Sequence, residues 1–95
     1  MEFSRELRAH VLSGDITVTF RLWRRPKVRL GGHYRVGDGQ IEVDSVDLVP
    51  FSFIDNTDVH RAGEADLDSL RRRAAHAGPI HDETLLYRIE FHVVG

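Results

Sequence analysis

Apolar and polar residues alternate most cleanly at the end of the chain. From Thr84 to Val94, Leu85, Tyr87, Ile89, Phe91 and Val93 point one way, and Arg88, Glu90 and His92 the other. A period of two over that length predicts a half-buried strand. A second strand is predicted from Thr17 to Trp23. Val18, Phe20 and Leu22 form its apolar face, while Thr19 and Arg21 sit side by side on the other. Arg24-Arg25-Pro26 ends it, since proline cannot donate to a ladder. A short strand from His33 to Val36 leads into Gly37-Asp38-Gly39, a hairpin signal. The return strand runs from about Gln40 to Leu48. Its apolar set changes parity, with Ile41 and Val43 before Asp44-Ser45 and Val46 and Leu48 after. An extra residue is needed there, so the pattern predicts a β-bulge or sharp bend.

Helical spacing appears in two places. Ser4 is a cap candidate for a helix from Arg5 to about Ser13, with Leu7 and Val11 on one face and Gly14 as the stop. Thr57 or Asp58 is the cap candidate for a short turn through Ala62, stopped by Gly63. A further helix spans about Asp66 to Ala77, with Leu67, Leu70 and Ala74 inward and Gly78-Pro79 closing it. Phe51 and Phe53, in the connection after Pro50, are buried-core candidates. The order helix, strands, helix, strand argues for α+β with a curled, mostly antiparallel sheet.

The length of 95 residues fits one domain over 1–95. Cysteine is absent, which excludes a disulfide scaffold, a thiolate zinc site and a cysteine nucleophile. No apolar run spans a membrane, and the charged start lacks a signal peptide's apolar stretch. The expectation is a cytoplasmic monomer with no membrane partner and no cofactor.

Charge is unevenly spread. Met1–Gly37 holds eight basic residues against three acids, and Asp38–Leu70 nine acids against one arginine. Arg21, Arg24, Arg25, Lys27, Arg29 and Arg35 fall in a stretch without a single acid, with Trp23 and Tyr34 interleaved. Cations beside aromatic rings suit a single-stranded nucleic-acid groove. A basic loop with Trp23 packed into the fold is the bland alternative. Arg71-Arg72-Arg73 is read as solvated helix surface pairing with Asp66 or Asp68, and Glu42, Asp44 and Asp47 as a solvated strand edge. The six histidines show no H-x-H or H-E-x-x-H spacing, and no metal site is expected.

The segment Val11–Arg21 resembles the opening of ASCH domains, which belong to the PUA-like group. Their motif is G-x-K-x-x-T-x-R. Gly14, Thr19 and Arg21 match it in register, and Ile16 stands in the lysine position. Val36-Gly37-Asp38 resembles the family's glycine–aspartate turn, Asp58–Ala77 its acidic helical insertion, and Leu86–Phe91 its closing strand. The resemblance implies a PUA-like curled β-barrel of five to six strands with two to three flanking helices. It also implies a cleft between the first helix and the barrel that takes RNA or a nucleotide. The candidate binding residues are Gly14, Thr19, Arg21, Trp23, Arg24, Arg25, Lys27 and Tyr34. Some family members hydrolyse N(4)-acetylcytidine through the motif's threonine and lysine and an acid from the insertion. Thr19 and Glu64 are the catalytic candidates on that reading, but Ile16 cannot accept a proton, which argues against an amidohydrolase. Ribonuclease activity is a further alternative, and a protein-interaction module using the acidic segment Asp38–Leu70 another.

Overall fold

The computed structural model describes the backbone of residues 1–95 and every side chain except that of Ala77. Helix α1 spans Arg5–Ser13, strand β1 Val18–Arg21, β2 His33–Val36 and β3 Gly39–Pro50. A single 3-10 turn, Phe51–Phe53, leads to α2 (Asn56–Arg61) and α3 (Leu67–Ala74). A second such turn, Ala75–Ala77, precedes the last strand, β4 (Leu85–Val94). All pairing is antiparallel, in the order β1-β4-β3-β2.

The sheet has four strands and is not a closed barrel of five or six. β1 pairs only with β4 and β2 only with β3, so both are edges. The chain joining them, residues 22–32, contains Pro26 and forms no strand that could close the gap.

The bulge lies where the parity change places it. Val43 pairs with Phe91 and Ser45 with Glu90, leaving Asp44 as the extra residue. Because of it, Ile41, Val43 and Val46 all reach the same core beside Ile89 and Phe91. Between β2 and β3, Gly37 takes φ 56° in the two-residue turn, a left-handed value that glycine adopts without a Cβ penalty.

Each face of the sheet has its own core. On one, Val11 of α1, Ile16 and Phe3 pack on Val36, Ile41, Val43, Ile89 and Phe91. On the other, Val59 of α2 and Leu70 of α3 pack with Phe51 and Ile54 on Val18, Phe20 and Leu86. β4 is therefore buried from both sides. Leu86, on its expected polar face, is fully buried, while Leu85 and Val93 on its expected apolar face are exposed. α2 and α3 cover that second face at Leu86, whereas Leu85 and Val93 stand at the two ends of β4, so burial follows position along the strand as well as parity. Of the two aromatics after Pro50, Phe51 is core and Phe53 is exposed. β3 is an inner strand rather than an edge.

The helix ends differ from expectation in detail. Ser4 is the N-cap residue of α1, but its hydroxyl makes no cap bond. Asp55, not Thr57 or Asp58, caps α2, accepting from the Asp58 N–H at 2.8 Å. Asp66 and Ser69 form a reciprocal capping box on α3. Asp58 instead turns to the sheet and accepts two bonds from Arg88, at 3.1 and 2.8 Å. Arg88 also meets Glu90, which pairs with Arg61 of α2 at 2.7 Å. This network straps α2 across β4.

Candidate nucleic-acid cleft

An open cleft of about 1230 Å³ runs along the free edge of β1. The segment before α1 and the start of that helix form one wall, and α3 with the α2–α3 connection forms the other. Both walls follow from the two-core arrangement. α1 packs on one face of the sheet and α3 on the other, and β1 is the edge strand between them.

Thr19, Arg21, Trp23, Arg24, Arg25, Lys27 and Glu64 all line this hollow. Two residues named with them do not. Gly14 terminates α1. Tyr34 lies over Gly32, and its hydroxyl accepts from the Arg29 N–H at 3.0 Å, so its ring is a packing element.

Thr19 and Arg21 share a strand face and touch. Arg21 Nε donates to the Thr19 hydroxyl at 3.1 Å. The same guanidinium lies over the Phe3 ring, 4.9 Å from its centroid, and donates to the Glu2 carbonyl. Arg8 Nε holds the Phe3 carbonyl at 3.1 Å, which fixes this segment against α1. Burial lowers the pKa of Arg21 from its ordinary value, although an arginine keeps its charge in proteins. Trp23 stacks at a tilt on Tyr87, with Lys27 Nζ 5.9 Å from its ring.

Glu64 is the one buried charged residue among those described. Its carboxylate accepts from Arg73 Nε at 2.6 Å. Arg73 also reaches Glu6 and Ser4 on the opposite wall, each at 3.4 Å. Arg72 and Arg73 are exposed as expected, but the arginine run on α3 pairs with Glu64, Glu6 and Asp82 rather than with Asp66 or Asp68. Arg73 bridges the cleft, and Arg71 lies over the Phe51 ring, 4.8 Å from its centroid. Ile16, in the position of the motif's lysine, is 3% exposed, and the Cβ a side chain would need at Gly63 falls 2.5 Å from its Cδ1. The position is filled by packed hydrocarbon.

The cleft also contains residues that the sequence reading did not assign to it. Arg8, Arg72, Arg73, Ser69 and His76 line it. The spacing of Ser69 to Arg73 and of Arg72 to His76 is one helical turn, and that was the available signal for one side of α3. Around the hollow stand seven arginine or lysine side chains against two glutamates. Arg24, Arg25 and Lys27 are exposed.

An α+β fold with an edge-strand cleft between two helical layers defines the class of protein. No protein-family model matches the chain, and no curated protein matches it in sequence. Solved structures do match. The ASCH domain from Lactobacillus crispatus JV V101 superposes with a TM-score of 0.70 at 15% identity, covering 93% of this chain and 70% of that one. Protein EF3133 from Enterococcus faecalis V583, of family DUF984, gives 0.73 at 18% identity over 94% and 67%. Hypothetical protein PH0355 gives 0.71 at 14% identity over 99% and 96%. The chain has an ASCH-like fold. Among the described residues no helix is long and apolar enough to cross a membrane.

Proposed function

We propose that this ASCH-like domain binds single-stranded RNA or a nucleotide fragment in the β1 cleft. The observation that carries the reading is the convergence of Thr19, Arg21 and Glu64 on one hollow whose rim is cationic. Arg21 is oriented by its bond to Thr19 and its seat on Phe3, so its planar fork meets a ligand with little further ordering. Arg24, Arg25 and Lys27 attract phosphate, and Trp23 offers a face for a base. Glu64, buried in the cleft wall, holds Arg73 in place there, and that guanidinium adds to the positive field of the hollow.

Binding is favoured over hydrolysis by the surroundings of Thr19. A nucleophilic threonine needs a base beside its hydroxyl. The group bonded to it here is a guanidinium, which has no lone pair to take the proton. Ile16 supplies none either.

The test is fluorescence anisotropy with a labelled short single-stranded RNA. Affinity should fall linearly in log–log form as salt rises, because phosphate contacts release counterions. Arg21→Ala should weaken binding about tenfold or more, the loss expected for hydrogen bonds to a charged group. Absent binding at low salt, or an unchanged Kd in Arg21→Ala, overturns the reading. Release of cytidine from N(4)-acetylcytidine, abolished by Thr19→Ala, would replace it with the amidohydrolase.

A further inference from the structure

The helices cover only one end of the second sheet face. On the uncovered end, three strands bring two imidazoles and two carboxylates together. His33 of β2, Glu42 of β3 and His92 of β4 occupy one row, since Glu42 pairs with both His33 and His92 across its two ladders. His33 Nε2 lies 2.8 Å from Glu42 Oε1. The fourth member comes from the bulge. Asp44 is the residue without a ladder partner, and its two carboxylate oxygens lie 2.8 and 2.9 Å from His92 Nδ1. Bulges re-aim side chains in this way. One ligand atom each from Glu42, Asp44 and His92 falls within 4.8 Å of the others.

From this juxtaposition we propose that Glu42, Asp44 and His92 form a surface site for a divalent first-row transition ion of the zinc class, with His33 orienting the Glu42 carboxylate. Imidazole nitrogen mixed with carboxylate oxygen suits such ions, whereas calcium and magnesium prefer an all-oxygen shell. Zinc bonds to nitrogen and oxygen are about 2.0–2.2 Å, so the ligand atoms must draw slightly closer than they stand. Glu42, Asp44 and His92 are 36%, 43% and 51% exposed, so their side chains have room to rotate inward. The ion binds the lone pair of a neutral imidazole nitrogen, so a protonated histidine must first release its proton to solvent, and no redox partner is involved.

The site lies on the face opposite Thr19 and Arg21, so it stands or falls apart from the RNA reading. The experiment titrates zinc chloride into the full chain by isothermal calorimetry, with imidazole NMR signals followed in parallel. The expected result is one saturable site whose binding shifts the His33 and His92 signals ahead of those of His60 and His81. His92→Gln and Asp44→Asn should each weaken it by about tenfold or more, since changes even to a ligand's supporting partners cost that much. His60→Gln should leave it unchanged. Calcium at the same concentration should leave the signals in place. The proposal is overturned if zinc shifts all histidines together, if neither ligand variant lowers affinity, or if His60→Gln lowers it as much as they do.

Discussion

Arg73 Nε donates to the buried Glu64 carboxylate at 2.6 Å, and Arg73 Nη1 reaches across the cleft to Glu6 on α1. One side chain therefore ties α3, the α2–α3 connection and α1 around the hollow. Both partners raise the pKa of Arg73, the Glu64 hydrogen bond most. The Glu64 side chain is only 6% exposed and depends on this partner.

Arg73→Ala should therefore lower stability by about 1–3 kcal/mol, the cost of leaving a buried polar group unsatisfied. Adding Glu64→Gln should recover part of that loss, because the group left behind is then neutral. Urea unfolding of the two variants and the wild type checks this. Equal losses in the single and double variants would show that the stranded Glu64 charge is not the source of the loss.

A close approach at Gly63 gives a second test. Its φ is 79°, and an added Cβ would meet Ile16 Cδ1 at 2.5 Å. Gly63→Ala should cost about 1–3 kcal/mol through overpacking and the left-handed backbone. Ile16→Val removes the nearer of the two contacts, Cδ1, and leaves Cγ1 at 2.8 Å, so it relieves part of the clash. The double variant should be more stable than the sum of the single losses, with a coupling of about 0.5 kcal/mol or more. Thermal or urea unfolding of all three variants measures it.

Acid should act through the strap over β4. Hydrogen bonds from Arg61, then Arg88, hold the Glu90 carboxyl below its ordinary 4.5. A carboxyl depressed on folding contributes stability above its unfolded value and loses it as pH falls through the folded one. Stability should accordingly decline below about pH 4.5. Glu90→Gln should be less stable than wild type at neutral pH and flatter on the acid side. Urea midpoints measured from pH 7 to 3 give both slopes, and parallel curves would remove Glu90 from the account.

Trp23 is the only tryptophan and lines the cleft, so its emission reports occupancy. Titration with short single-stranded RNA should quench it along a saturable curve, with the Kd found by anisotropy. Binding that leaves the emission unchanged places the ligand elsewhere.

Much of the local structure was readable from the chain. α1, the Gly37 turn, the α3 pattern and the bulge at Asp44 follow from periodicity and from residues suited to caps and turns. These depend on neighbours close in sequence. The motif residues Thr19 and Arg21 were legible in the same way, as adjacent positions on one strand face. Tyr34 was drawn in by its place among the cations, yet its ring packs over Gly32. Leu86 is buried because α2 and α3 cover the face expected to be polar, and Leu85 is exposed at the start of β4.

The sequence by itself determined which segments become helix or strand and where β3 must bulge, because side-chain period and backbone preference are local properties. Only the tertiary structure decided that the sheet stays open at four strands and that Arg73 joins Glu64 and crosses to Glu6. It alone brought His33, Glu42, Asp44 and His92 onto one patch. Those outcomes depend on which strands pair and in what register. Pairing joins residues 48 positions apart, as at Asp44 and His92, and no periodicity within one segment carries that information.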